Sequence, residues 1–254
     1  MDRVFVFSKY GLEDKYNDDF RLMYSEMKRI ASKNLDYVLS EESFEIDIKN
    51  IKRKNHGEPE IVIPVGAIQF VKKYLDFYGK EMKPIEIPDS MYDFLGRMYI
   101  KLKGSEVLKH YTYSSKWFVK DISSLKYWNS SLYDGDISKY ICKDRDYSVS
   151  QKMDIVSEYR VFVLEDNVLA VQMYAGNPLV FPDSDKIIGM VNNYRKEKHP
   201  KAYTLDIAVV KKEKNMETVP LEVHPFVSCG LYGYIPDSLD KMLEYGYRWY
   251  LEGN

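Results

Sequence analysis

Two prolines four positions apart, in the segment Lys83-Pro84-Ile85-Glu86-Ile87-Pro88-Asp89-Ser90, divide the chain between two incompatible apolar patterns. A proline disfavours helix at the residue before it, so this stretch predicts an extended crossing piece. Before it, short apolar runs alternate with helical spacing. Val4–Phe7 predicts a buried strand, and Asp18–Ala31 a helix on Phe20, Met23, Met27 and Ile30. Asp36–Leu39 and Ile61–Pro64 are two more strands, the second leading through Gly66 into a helix that carries Ile68, Phe70, Val71 and Leu75. Strands alternating with helices predict a small parallel α/β unit.

After the prolines the pattern changes to hairpins. Met91, Phe94, Leu95, Met98 and Leu102 predict one amphipathic helix capped by Asp89 or Ser90. Trp117–Val119, Tyr147–Met153, Tyr159–Leu164 and Val168–Tyr174 predict strands, with Glu165-Asp166-Asn167 as a hairpin turn. Tyr203–Val210 and Thr218–Val223 predict a further hairpin, and Leu239–Leu251 a helix capped by Asp237 or Ser238. A mostly antiparallel sheet with flanking helices follows, and no internal repeat is visible.

At 254 residues, 45% hydrophobic and 30% charged, the chain fits a two-lobed globular body. The net charge of −2 gives no global attraction to nucleic acid. Cys142 and Cys229 lack the spacing of a zinc site or a disulfide framework, which suits a reducing cytoplasm. No export signal is apparent, and nowhere do the roughly 18 apolar residues of a membrane span follow one another. The 23 tyrosines suit cleft linings and interfaces as well as ordinary surface packing.

Acids inside apolar strands carry the chemical signal. Asp206, in Leu-Asp-Ile-Ala-Val, and Glu222, in Leu-Glu-Val-His, sit on the two strands of the final hairpin. A carboxylate buried there without a partner costs several kcal/mol, so it requires a cation or a hydrogen-bond network; otherwise it faces solvent. Mg²⁺ suits the first case, because it takes one or two carboxylates together with phosphate and water oxygens. Lys120 ends the run Trp117-Phe118-Val119 and can present a point charge to a cleft, or simply be solvated. Arg160 offers a planar fork for phosphate, or a salt bridge to an acid such as Glu158.

In this order, Lys120, the segment Ser150–Ile155, Arg160 in Ser-Glu-Tyr-Arg-Val-Phe-Val, Asp206 and Glu222 resemble the ATP-grasp superfamily. Within it, Ser157–Val163 and Tyr203–Tyr232 are similar to the phage- and bacteria-encoded clade named for two arginines and a lysine. The likeness extends weakly to Pro64–Phe70 and the surroundings of Arg97.

The resemblance implies an ATP-grasp fold, mixing α/β and α+β parts. An N-terminal pre-ATP-grasp lobe would span residues 1–88 and the ATP-grasp domain 89–254, with nucleotide between subdomains about 105–155 and 156–254. It implies that Lys120 contacts the α and β phosphates and that Arg160 lies near the transferred one. The hinge Gln151, Lys152, Met153, Asp154 and Ile155 would read adenine, with Asp154 near the ribose. Lys126, in the flap after Lys120, would reach a phosphate, and Trp128 would either cover the site or pack into the core. Asp206 and Glu222 match the Mg²⁺ ligands, and Mn²⁺ is an alternative because His224 replaces the usual Asn of Glu-x-Asn. His224 can equally be a base or a structural residue. The cluster Ser228–Tyr234 would contact acceptor or phosphate.

The implied activity is an ADP-forming carboxylate–amine ligase acting through an acyl phosphate on small-molecule or peptide substrates, in the cytoplasm, a host's if phage-encoded. An ATP-binding regulatory or interaction module without ligation is the alternative. An end-joining enzyme that charges a lysine with AMP fits less well, because Lys120-Asp121 lacks the Lys-x-Asp-Gly spacing. The resemblance implies no membrane and no nucleic-acid partner. It leaves the acid, the amine and the oligomeric state open.

Overall fold

The computed structural model describes residues 3–9, 18–31, 36–40, 43–55, 60–124, 128–213, 215–235 and 237–253. The first pattern folds as its periodicity predicts. Strands β1 (Arg3–Phe7), β2 (Asp36–Leu39) and β3 (Ile61–Val65) form a parallel sheet in the order β2-β1-β3. Parallel strands need crossover connections, and helices α1 (Asp18–Ala31) and α2 (Phe44–Asn55) supply them before α3 (Ile68–Phe77) follows β3. Helix α2 was not among the sequence-based expectations, although Ile48 and Ile51 turn toward the core.

The second part builds two antiparallel sheets rather than one. The smaller has the order β4-β6-β5, from β4 (Tyr99–Lys103), β5 (Trp117–Asp121) and β6 (Asp146–Gln151). The larger has the order β10-β9-β7-β8, from β7 (Ile155–Leu164), β8 (Asn167–Gly176), β9 (Ala202–Lys211) and β10 (Met216–Pro225). Leu164 pairs with Asn167, so Glu165 (φ 48°) and Asp166 (φ 64°) alone make the turn. Two left-handed residues in succession match the twist of the flanking strands.

The helix expected across Met91–Leu102 does not form. Residues Asp89–Phe94 make a 3₁₀ turn without a side-chain cap, Gly96 takes a left-handed φ of 59°, and β4 begins at Tyr99. The apolar residues serve two different cores. Met91 and Leu95 bury against the large sheet beside Ile87, whereas Met98, Ile100 and Leu102 pack with Val119 and Val149 behind the small sheet. A straight helix cannot reach both, and Ile100-Lys101-Leu102-Lys103 has the period of two that suits a strand.

Helix α4 (Gly104–His110) backs the small sheet, and α5 (Ser184–Tyr194) covers one face of the large sheet with Ile187, Met190 and Val191. The Asp183 carboxylate caps α5 by accepting from the Asp185 and Lys186 N–H groups. The opposite face meets the parallel sheet: Phe162, Leu164, Ala202 and Phe226 share one core with β1, β3 and α6 (Leu239–Leu251). Each fully buried Leu, Phe or Met there contributes about 1.5–3 kcal/mol, so this junction is a packed interior. Helix α6 has the predicted bounds, with Ser238 at its cap position but no side-chain hydrogen bond. Among the described residues no helix is long and apolar enough to cross a membrane.

Candidate functional site

Alternation along β7 and β9 divides the face turned toward the parallel sheet into three zones. At one end Phe162, Leu164 and Ala202 enter the main core; at the other, Ala208 and Val210 pack with Val219, Met153 and Leu221. Between them lies a polar row in strict register, with Arg160 opposite Asp206 on β9 and Asp206 opposite Glu222 on β10. Direct cross-strand partners share a face, so all three side chains point the same way. A bulge between Pro220 and Glu222 inserts one residue, and both Leu221 and Glu222 thereby line the cleft.

Arg160 and Asp206 are 8% and 3% exposed. Arg160 Nε and Nη2 donate to the two Asp206 oxygens, each at 2.8 Å, and Nη1 donates to the Gly230 carbonyl at 3.1 Å. Its guanidinium also lies 5.0 Å from the centre of the Tyr232 ring, which stacks on Tyr174. Burial alone would lower the Arg160 pKa, but Asp206 more than offsets it and the pKa rises. Asp206 therefore holds the guanidinium, and Glu158 instead accepts from the Tyr174 hydroxyl at 2.9 Å.

The small sheet forms the opposite wall. Lys120 is in register with Ser148, and Phe118 and Tyr99 with Ser150; all five line a cavity of about 510 Å³. The alternate residues Val119, Tyr147 and Val149 face the core behind. Lys120 Nζ reaches across to the other sheet, donating to Glu222 Oε2 at 2.7 Å, and lies 3.0 Å from Glu86 Oε1. The other Glu222 oxygen is 2.8 Å from His224 Nε2. Burial pushes the Glu222 pKa up, but His224 and Lys120 together hold it well below the usual carboxylate range. Lys120 is likewise lowered by burial and raised on balance by Glu222 and Glu86.

Arg97 differs from these cations. Its Nη1 donates to the carbonyls of Leu95 (3.2 Å) and Pro220 (3.0 Å), while among the described residues its buried Nε has no hydrogen-bond partner and no carboxylate pairs with it. Burial lowers its pKa to about 10. It lines the main cavity and a smaller neighbouring pocket of about 140 Å³.

Of the residues singled out by sequence, Lys120, Gln151, Lys152, Met153, Ile155 and Glu222 line the main cavity. Asp154 lies instead on the smaller pocket, and its carbonyl accepts from the Lys211 N–H at 2.8 Å. Lys126 falls outside the described residues. Trp128 does not cover the cleft: it packs beside Tyr133, Tyr140 and Tyr147 in the core behind the small sheet. The Asp121 N–H donates to the Trp128 carbonyl at 2.9 Å, while the Asp121 side chain is gripped by Arg145, so both ends of this loop are tied down. In the Ser228–Tyr234 cluster, Ser228 donates to the Gly66 carbonyl at 2.6 Å and joins the cleft region to the parallel sheet. Glu86, Tyr99, Phe118, Ser148, Ser150 and Tyr174 were not anticipated as lining residues. For the two serines a signal existed, because Tyr147-Ser148-Val149-Ser150 alternates apolar and polar positions.

A family model for an ATP-grasp domain, the second family of the clade named for two arginines and a lysine, matches residues 94–242. Among solved structures, N5-carboxyaminoimidazole synthetase from Staphylococcus aureus, complexed with ADP, is similar with a TM-score of 0.51 at 9% identity, over 100% of this chain and 78% of that one. D-alanine–D-alanine ligase from Bacillus anthracis gives a TM-score of 0.49 at 12% identity, over 99% of both chains. No curated protein matches significantly.

Proposed function

Because the chain belongs to this clade of the ATP-grasp family, we propose that it binds ATP with Mg²⁺ in the cleft between its two antiparallel sheets and uses them to join a carboxylate to an amine. The observation that carries this reading is the row Arg160–Asp206–Glu222 on one sheet, met by Lys120 from the other. Two cations for phosphate and two carboxylates for a metal thus converge from four strands.

The donor set suits Mg²⁺. Among the described residues no cluster of three or more His, Cys, Asp or Glu is arranged to hold a metal ion. Mg²⁺ does not need one, since phosphate and water oxygens complete its shell beside one or two carboxylates. Asp206 and Glu222, neighbours on one sheet face, would be those carboxylates. His224 would orient Glu222 through their 2.8 Å contact, and a direct imidazole bond would favour Mn²⁺. When bound, the metal neutralises charge on the phosphates and polarises the transferred group.

The chain's own residues supply the rest. The adenine fits the apolar zone formed by Met153 and Leu221, beside the Gln151–Ile155 backbone. Lys120 and Arg97 offer cationic donors to the phosphates, and Arg160 faces the group in transfer. A substrate carboxylate oxygen attacks the γ-phosphorus, ADP leaves, and an acyl phosphate forms. An amine then attacks the acyl carbon, and phosphate departs. Residues 1–88 would form the lobe that shapes the acceptor site, tied to the cleft by Ser228 and Gly66.

A second reading, nucleotide binding without ligation, is favoured by the closed Arg160–Asp206 pair, which already satisfies one metal carboxylate. Calorimetric titration with ADP and Mg²⁺, followed by an assay of ADP release over a panel of amino acids and peptides, separates the two. Binding with amine-dependent ADP release supports the ligase; binding without release under any acid–amine pair supports the module; no binding removes both.

A further inference from the structure

Lys120 is shared between two carboxylates, and only one of them belongs to the proposed metal pair. The other, Glu86, is 6% exposed, lines the cleft and lies 3.0 Å from Lys120. Its backbone is left-handed, with φ of 61°. A side chain other than glycine is disfavoured there, and such residues persist where the surroundings fix them, often at functional sites. Here the surroundings are Pro84 and Pro88 on either side and a backbone bridge to Val223. Val223 follows Glu222, so Glu86 is held beside the same strand that carries the acid with which it shares Lys120.

We propose that Glu86 is a positioning residue: it retains the Lys120 ammonium on the cleft wall while a divalent cation draws Glu222 away. The inference rests on the nucleotide–metal reading above. With Glu222 alone, the ammonium and the metal compete for one carboxylate. With Glu86 present, Lys120 keeps a partner when Glu222 turns to the metal, and stays within reach of phosphate.

The test is calorimetric titration of ADP at increasing Mg²⁺ concentration, on the wild type and on Glu86→Gln. The amide keeps the shape and removes the charge, so the Mg²⁺ concentration giving half-maximal ADP binding is expected to rise about tenfold, with the melting temperature recorded alongside. Glu86→Gly, which accepts the left-handed backbone, is expected to show the same rise. An unchanged or lowered Mg²⁺ requirement in a folded variant would overturn the assignment, and so would loss of the fold in both variants, which would make Glu86 structural. Absence of ADP binding in the wild type at any Mg²⁺ concentration would instead remove the underlying reading.

Discussion

Arg160 and Asp206 face each other across β7 and β9 and are joined by two parallel hydrogen bonds of 2.8 Å, both residues being almost wholly buried. Removing one member of such a pair strands the other charge and typically costs about 3–5 kcal/mol. Asp206→Ala is therefore expected to lose about that much stability in urea denaturation. Combining it with Arg160→Met should recover most of the loss, because no charge is then stranded. A cost below about 1 kcal/mol for the single variant would show that the pair is better solvated than its burial suggests.

Arg97 leads to the opposite expectation. A buried guanidinium held only by two carbonyls adds little to stability, so Arg97→Met should melt at or above the wild-type temperature. ADP affinity should fall about 10- to 100-fold, or roughly 1.4–2.7 kcal/mol, while adenosine affinity stays unchanged. An equal loss for adenosine would mean that Arg97 shapes the cleft without touching phosphate.

The Lys120–Glu222 contact sets a pH window. The folded-state pKa of Glu222 is depressed, so its contribution is present above the unfolded value of about 4.3 and fades as pH falls toward the depressed one. Lys120 is raised, so its contribution is complete below about 10.4 and fades as pH climbs through the raised value. The melting-temperature gap between wild type and Glu222→Gln should stay constant from about pH 5 to 10 and shrink below about pH 4. A gap that persists unchanged to about pH 3 would refute the depressed carboxylate.

Gly246 offers a purely structural test. A β-carbon there would sit 2.4 Å from the Phe226 carbonyl oxygen and within 2.8 Å of two further Phe226 backbone atoms. Backbone cannot swing aside as a side-chain tip can, so Gly246→Ala should cost about 1–3 kcal/mol. Thermal denaturation within a degree of wild type would contradict that contact.

The parallel unit and the hairpins were legible because Val4–Phe7, Tyr159–Leu164 and Tyr203–Val210 each follow a single period that their burial respects. The convergence of Asp206 and Glu222 was legible for a related reason, since a carboxylate inside an apolar strand demands a partner. The Met91–Leu102 segment was misread because its apolar residues feed two cores on either side of Gly96, a division that spacing alone does not carry. Glu86 and Arg97 escaped notice because neither lies in a patterned strand: what distinguishes them is a left-handed φ in one case and, in the other, a guanidinium held by carbonyls alone. Arg160 was read toward its near neighbour Glu158, whereas its partner Asp206 stands 46 positions away and is found only once β7 and β9 align.

Helix α6 supplies Leu239, Met242, Leu243, Tyr247 and Tyr250 to the core beneath β1, and Arg3 pairs with Asp240, 237 positions further along. At roughly 5–20 residues per second of synthesis, the ribosome delivers that helix some tens of seconds after the first strand. Throughout that interval Val4, Phe5, Val6 and Phe7 lack their final covering, so the nascent chain is exposed to premature association until nearly all of it has emerged.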